Sequence, residues 1–280
     1  MPAGDMLQRF SSKKVIHVFS PKNRPAHSVE NGEMVVVESP DCFSGLVKTS
    51  KKLFEDVPME RVNPATGPVR VDGMSAGETL CISIEKIKCG PLGIIMCSPE
   101  LGILCEDVRK SRTKIVEIRG NKAKFSDDLS IDLNPHVGVL GVSPAKGEFP
   151  TFHPGDHGGN MDTVEAREGS KVYLPTFVDG AMFALGDVHA AMGDGEVCGT
   201  GIEVPAEVTL SLSKADDIEV RRPMIETPTE WLSYAAAKTL DKAAKLATSD
   251  LVRFMESVLR RPPIHWGRKQ VARPSATSDP

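Results

Sequence analysis

The sequence has no excess of positive charge to offer a polyanion. Its 34 lysines and arginines stand against 38 aspartates and glutamates, a formal net charge of −4. No basic run, RNA-binding signature or cationic amphipathic helix breaks that balance, so nucleic acid and anionic membrane surfaces are excluded as expected partners. Long apolar runs are missing too. The most apolar stretch, residues 92–104, is interrupted by Ser98-Pro99-Glu100 and is too short to cross a bilayer. The opening Met1-Pro-Ala-Gly-Asp5 lacks the apolar core of a secretory signal. Six cysteines in 280 residues do not make a disulfide scaffold. Cys81, Cys89, Cys97 and Cys105 recur every eight residues, which fits no metal knuckle; in alternating strands an even spacing simply keeps side chains on one face. These absences predict a reduced, cytoplasmic protein, and the length is ample for a substantial core.

What is present is β-rich punctuation. Twenty-four glycines and 21 prolines separate short β-branched runs. Strands are expected over residues 14–19, 34–38, 68–71, 79–87, 114–118, 129–133, 137–142, 171–178, 181–189 and 206–213. In the fourth of these Leu80, Ile82 and Ile84 share a face, with Lys86 next in the same phase. Three segments beginning at Asn31-Gly32, Ala76-Gly77 and Glu168-Gly169 each read as a glycine turn feeding a strand. One helix is clear: Leu240, Ala243, Ala244, Ala247, Leu251, Phe254, Met255 and Val258 follow a 3.6-residue rhythm, with Thr239 able to cap it. Thr227-Pro-Thr-Glu230 also spells a capping box, leaving residues 231–235 open between helix and strand. The expected fold is mainly β (α+β), a single domain over residues 1–259 with one principal C-terminal helix and a flexible tail over 260–280.

The chemistry concentrates in His157-Gly-Gly-Asn160-Met-Asp162, Gly186-Asp187-Val-His189 and Gly193-Asp194-Gly-Glu196-Val-Cys198-Gly-Thr200-Gly-Ile-Glu203. Carboxylates and imidazoles seldom gather among glycines for packing alone. Asp187 and His189 lie two apart, so in a strand they share a face. Gly158-Gly159 lets the chain bend sharply and bring His157, Asn160 and Asp162 together. Such a set suits a divalent metal, zinc if both imidazoles bind and calcium if carboxylates dominate, with zinc preferred. The expected ligands are His157, Asp187 and His189, with Asp162 and Asp41 as additional ones. Glu196, beside a glycine turn, is the expected general base. Asn160 either donates to a developing oxyanion or braces the Gly158-Gly159 loop. Glu203 either supports the ligands or merely ends a strand. Cys198 is read as a small buried thiol, although a cysteine nucleophile with Glu196 as partner is the competing mechanism. His17, His27, His136 and His153 show no partner pattern and are expected to be structural.

These motifs, with Tyr173-Leu-Pro175, Asp41-Cys-Phe-Ser-Gly45, Asn63-Pro-Ala-Thr-Gly-Pro68 and Gly73-Met-Ser-Ala-Gly-Glu-Thr-Leu80, together resemble the acetamidase/formamidase family over roughly residues 13–258. The resemblance implies a β-rich fold with a helix near the C-terminus. It also implies hydrolysis of small amides of the formamide/acetamide class to acid and ammonia by metal-activated water, bound divalent cations and a homo-oligomer. The chain departs from the family pattern after the helix, where Arg260-Arg-Pro-Pro follows. Two competing readings stand beside the enzyme: a non-catalytic calcium-binding β-domain, disfavoured by His157 and His189, and an inactive family member kept as an assembly partner.

Overall fold

Short β-branched runs bounded by glycine turns cannot bury an apolar face alone, and here they pair into two large sheets. The structure is a computed structural model that describes residues 7–259 and 274–278. Its principal strands are β1 (Glu33–Ser39), β2 (Ala65–Val71), β3 (Thr79–Cys89), β4 (Leu92–Cys97), β5 (Arg112–Arg119), β6 (His136–Gly141), β7 (Gly158–Asn160), β8 (Lys171–Pro175), β9 (Phe183–His189), β10 (Glu203–Val204), β11 (Ala206–Lys214) and β12 (Trp231–Ala237), followed by helix α1 (Leu240–Leu259). One sheet runs Gln8–Phe10, β1, β11, β3, β8, Met224–Glu226, β12 and Pro274–Ser278. The other carries β5, β4, β10, β9, β6 and β7 in that order, and β2 also pairs with β9. A single apolar cluster draws on both, from Val35, Leu80, Ile82, Val208 and Leu210 in the first to Val137, Leu140, Phe183 and Leu185 in the second. The fold is mainly β, as the sequence predicts.

Alternation on β11 is regular, with Val208, Leu210 and Leu212 buried between half-buried Glu207, Thr209 and Ser211. Its neighbour β3 is not regular. The pairing shifts register between Thr209 and Leu210, so Lys86 faces Thr209 while Ile84 faces Leu210. Glu85 is the extra residue of this bulge, and the phase flips beyond it. Ile87 therefore turns into the core and Lys86 is exposed, which corrects the expected placement of Lys86.

Helix α1 starts where Thr239 caps it, the Thr239 hydroxyl accepting from the Lys242 N–H at 3.3 Å. Its Leu251 and Phe254 pack on Cys81, Tyr173, Val220 and Met224 against the first sheet, burial that contributes about 1.5–3 kcal/mol for each of the two larger side chains. Residues 231–235 are strand. The Thr227-to-Glu230 signature is a hairpin turn, in which the Thr227 hydroxyl accepts from the Glu230 N–H at 3.0 Å and Glu226 pairs with Trp231. The glycine turns at Gly32, Gly77 and Gly169 all have positive φ and feed strands. Pro274–Ser278 pairs in parallel with β12, while residues 260–273 and 279–280 lie outside the described residues. Among the described residues no helix is long and apolar enough to cross a membrane.

Candidate active site

Three adjacent strands place three side chains in one row. His136 on β6 is directly opposite His189 on β9, which is in turn opposite Glu203 on β10. Such cross-strand neighbours touch because their Cβ atoms are only about 5 Å apart. Beside this row, Asp187 adopts φ of 56°, and Asn63, Asp162 and Glu196 also have positive φ. A left-handed aspartate in a buried strand is sterically costly and is held only by its surroundings. Here Gly186 lets β9 close on Pro64, whose carbonyl would be 2.2 Å from any Cβ at that position. Gly138 likewise leaves room for the carboxylates: a Cβ there would meet Asp162 Oδ1 at 2.6 Å and Asp187 Oδ2 at 2.8 Å.

The resulting cavity, about 180 Å³, is lined by Asn63, Asn160, Asp162, Asp187, His189, Glu196 and Glu203 together with apolar Phe43, Phe54, Val62 and Phe152. His189 Nε2 is 3.1 Å from Glu203 Oε1, 3.7 Å from Asp187 Oδ1 and 3.8 Å from Glu196 Oε1. Its Nδ1 is 3.2 Å from His136 Nε2. Asn63 Nδ2 donates to Asp187 Oδ2 at 2.8 Å and to Asn160 Oδ1 at 3.0 Å, and Asn160 Nδ2 donates to Asp162.

So many carboxylates cannot all stay ionised in a buried space. Burial, reinforced by Glu203, drives Asp187 well above the usual carboxylate range. Burial and then Asp162 push Glu196 up to about 9, and burial takes Asp162 to about 6. Glu203 moves the other way. Burial opposes its charge, but His189 and the Gly201 N–H overcome that and hold it low. Burial similarly works against protonated His189, yet Glu203 and Asp187 raise its proton affinity well above normal. His189 and Glu203 thus pair at 3.1 Å, with Glu196 holding its proton beside them.

The donor set fits a divalent cation. Asp162, Asp187 and His189 each offer a ligand atom within 4.8 Å of the others, as do His189, Glu196 and Glu203, and also Cys42, Asp187 and Glu203. Asp162 Oδ1 and Glu203 Oε2 are buried without a hydrogen-bond partner. Buried polar atoms are nearly always satisfied, so these two carboxylate oxygens leave acceptor capacity that a cation would fill.

The expected residues divide accordingly. Asp162, Asp187, His189 and Glu196 come together, with Asn160 bonded to Asp162. His157 does not join them, which corrects the expected triad. The Gly158-Gly159 pair does bend, with φ of 89° and 90°, but His157 is on the hairpin turn between Gly155 and Gly158, and none of the candidate cation groups among the described residues includes it. Its ring packs edge-on to Phe19 at 5.1 Å and near Phe149 at 5.0 Å, and burial lowers its proton affinity to about 4. Asp41 uses Oδ1 to accept from the N–H groups of Phe43 and Gly45, both at 3.0 Å, so it shapes the loop that carries Cys42. The Cys198 thiol donates to the Thr200 carbonyl. Asn63, Cys42 and His136 were not legible as site residues, because each reaches the cluster from a distant part of the chain; Glu203 is a member of the cluster rather than a strand end alone.

The chain is 38% identical to the acetamidase of Bacillus halodurans, covering 88% of this chain and 84% of that one with a TM-score of 0.85. It is also 38% identical to a predicted acetamidase/formamidase of Thermoanaerobacter tengcongensis, over 90% of this chain and 84% of that one, with a TM-score of 0.86. A formamidase-named protein of Schizosaccharomyces pombe is 23% identical over 265 residues, 71% of this chain; the match spans only 64% of that relative's length. The model of the acetamidase/formamidase family matches residues 7–150 and 148–237. With the buried acidic and imidazole cluster formed by the very motifs that carry the likeness, the chain belongs to the acetamidase/formamidase family.

Proposed function

We propose that this chain hydrolyses short carboxylic amides to the acid and ammonia, using a divalent cation held by Asp162, Asp187, His189 and Glu203. The observation that carries this reading is the pair of buried, unpartnered oxygens, Asp162 Oδ1 and Glu203 Oε2, within a cluster that also presents His189 Nε2. A divalent cation in that set supplies Lewis acidity to an amide carbonyl and to water. The nitrogen of His189 and the nearby Cys42 sulfur favour zinc over calcium, which takes oxygen ligands.

The rest of the chemistry falls to the chain. Glu196 is only partly buried, 19% accessible at its side chain, and lines the cavity. It takes the proton of the attacking water and returns it to the departing nitrogen, which leaves as ammonia. Its raised proton affinity, up to about 9, suits the second half of that exchange. Asn160 spends one N–H on Asp162 and keeps the other for a developing oxyanion. Phe43, Phe54, Val62 and Phe152 keep water from the acyl group, and a cavity of about 180 Å³ restricts that group to a small one. Homo-oligomeric assembly is part of the same proposal and rests on family membership alone.

The test is ammonia release from formamide and acetamide before and after chelation, with metal analysis of the same sample. Glu196→Gln keeps size and hydrogen bonding but removes the proton acceptor. Turnover should fall by about 10² to 10⁴ with metal content unchanged. Unchanged turnover would remove Glu196 from the mechanism, and a parallel loss of metal would make it a ligand.

A further inference from the structure

We propose that His136 is a positioning residue that fixes the tautomer of His189 and thereby aims His189 Nε2 at the carboxylate cluster. The inference rests on reading that cluster as the metal centre. His136 is fully buried and belongs to a different strand from every proposed ligand.

The reasoning follows hydrogen-bond direction alone. His136 Nδ1 is 2.8 Å from the backbone carbonyl of Asn134. A carbonyl oxygen only accepts, so His136 Nδ1 carries the hydrogen. In the neutral ring Nε2 is then bare and must accept. The atom facing it, at 3.2 Å, is His189 Nδ1, which therefore donates. A neutral His189 with its hydrogen on Nδ1 has its lone pair on Nε2, the atom 3.1 Å from Glu203 and within 3.8 Å of Asp187 and Glu196. The reverse tautomer would bury two bare nitrogens against each other and point a hydrogen at the position a cation would take.

The anchor of this relay is itself fixed. The Asn134 N–H donates to the Ala190 carbonyl at 2.9 Å, next to His189 in sequence. Asn134 Oδ1 accepts from Arg167 at 3.3 Å, and Arg167 also forms a β-bridge with His136. Gly201 completes the seat: a Cβ there would be 3.0 Å from His189 Cδ2. The imidazole is thus held by strand register, by a ring-to-ring hydrogen bond and by a missing side chain. Partners behind a metal-bound histidine typically change metal affinity about 10- to 100-fold when removed.

Two measurements on the full-length chain test this. In protein labelled with ¹⁵N-histidine, long-range ¹H–¹⁵N spectra should show His136 with hydrogen on Nδ1 and a bare Nε2; hydrogen on Nε2 overturns the proposal. Zinc affinity is then measured by chelator competition for wild type, His136→Leu and His136→Gln. The leucine variant offers no acceptor and should bind zinc about 10- to 100-fold more weakly, while the glutamine variant, whose amide oxygen can accept, should recover most of the loss. A His136→Leu protein that melts cooperatively and binds zinc as tightly as wild type overturns the inference. A wild-type chain that takes up no zinc instead removes the metal centre, and the tautomer spectrum still decides whether His136 orients His189. If the leucine variant does not fold, the glutamine variant and the wild-type spectrum carry the decision.

Discussion

His157 and His189 are both buried and both plausible ligands from sequence, yet the fold gives them opposite surroundings. His189 is in a row with His136 and Glu203 and faces carboxylates on three sides. His157 faces Phe19 and Phe149, and its Nε2 has no hydrogen-bond partner. Burial alone lowers one to about 4, while acids around the other outweigh the same burial and raise it. A glycine bend is therefore not enough to make a ligand. What matters is which strand the ring is paired across.

Exchanging the two histidines is the sharpest way to break this contrast. With zinc in the proposed centre, His189→Ala should reduce bound zinc to background and abolish the proposed ammonia release, whereas His157→Ala should leave zinc content intact; metal analysis of the two purified variants decides it. Gly138→Ala comes next. The new methyl would press on Asp162 and Asp187, and we expect zinc affinity to fall at least tenfold with a stability loss of about 1–3 kcal/mol, read by competition and thermal melting. A bound metal indistinguishable from wild type would show that the carboxylates have other room.

The third test uses protons. Acids around His189 raise its proton affinity well above normal, so a metal bound there must displace a proton. Zinc loading should release at least one proton per ion at pH 7, the one His189 gives up as a ligand; calorimetry in buffers of different ionisation enthalpy counts them. The smallest effect belongs to His157. Its folded value near 4 lies below the ordinary 6.5, so the unfolded chain takes up the proton first. The stability this ring contributes is complete above about pH 6.5 and is lost as pH falls toward 4. His157→Leu should therefore gain melting temperature relative to wild type at pH 5 but not at pH 7.5. An identical difference at both values would contradict the assignment.

Much of this was legible in the chain. The helix showed through its 3.6-residue rhythm, the strands through their turns, and Asp162, Asp187, His189 and Glu196 through their density among glycines. What was hidden depended on partners. The flip at Glu85 comes from how β3 pairs with β11, which no local pattern encodes. The Thr227-to-Glu230 segment shows why local chemistry can mislead: a hydroxyl accepting from an N–H three residues on serves a helix cap and a hairpin turn equally well. Asn63 and Cys42 stood in motifs that resembled the family, but they reach Asp187 and Glu203 from 124 and more than a hundred positions away. His136 lacked a partner pattern because its partners are Asn134's backbone and a residue 53 positions away.

The four left-handed side chains lining the cavity, Asn63, Asp162, Asp187 and Glu196, have a consequence for how this protein can change. Asparagine, aspartate and glycine tolerate that backbone region, and β-branched residues do not. The mutational neighbourhood of the site is therefore narrow: Ile, Val and Thr are disfavoured at all four positions by the backbone before chemistry is considered. Glycine there would relieve strain and discard function at once. Selection for heat resistance alone should drift toward such replacements, yielding tougher proteins that have lost the proposed site.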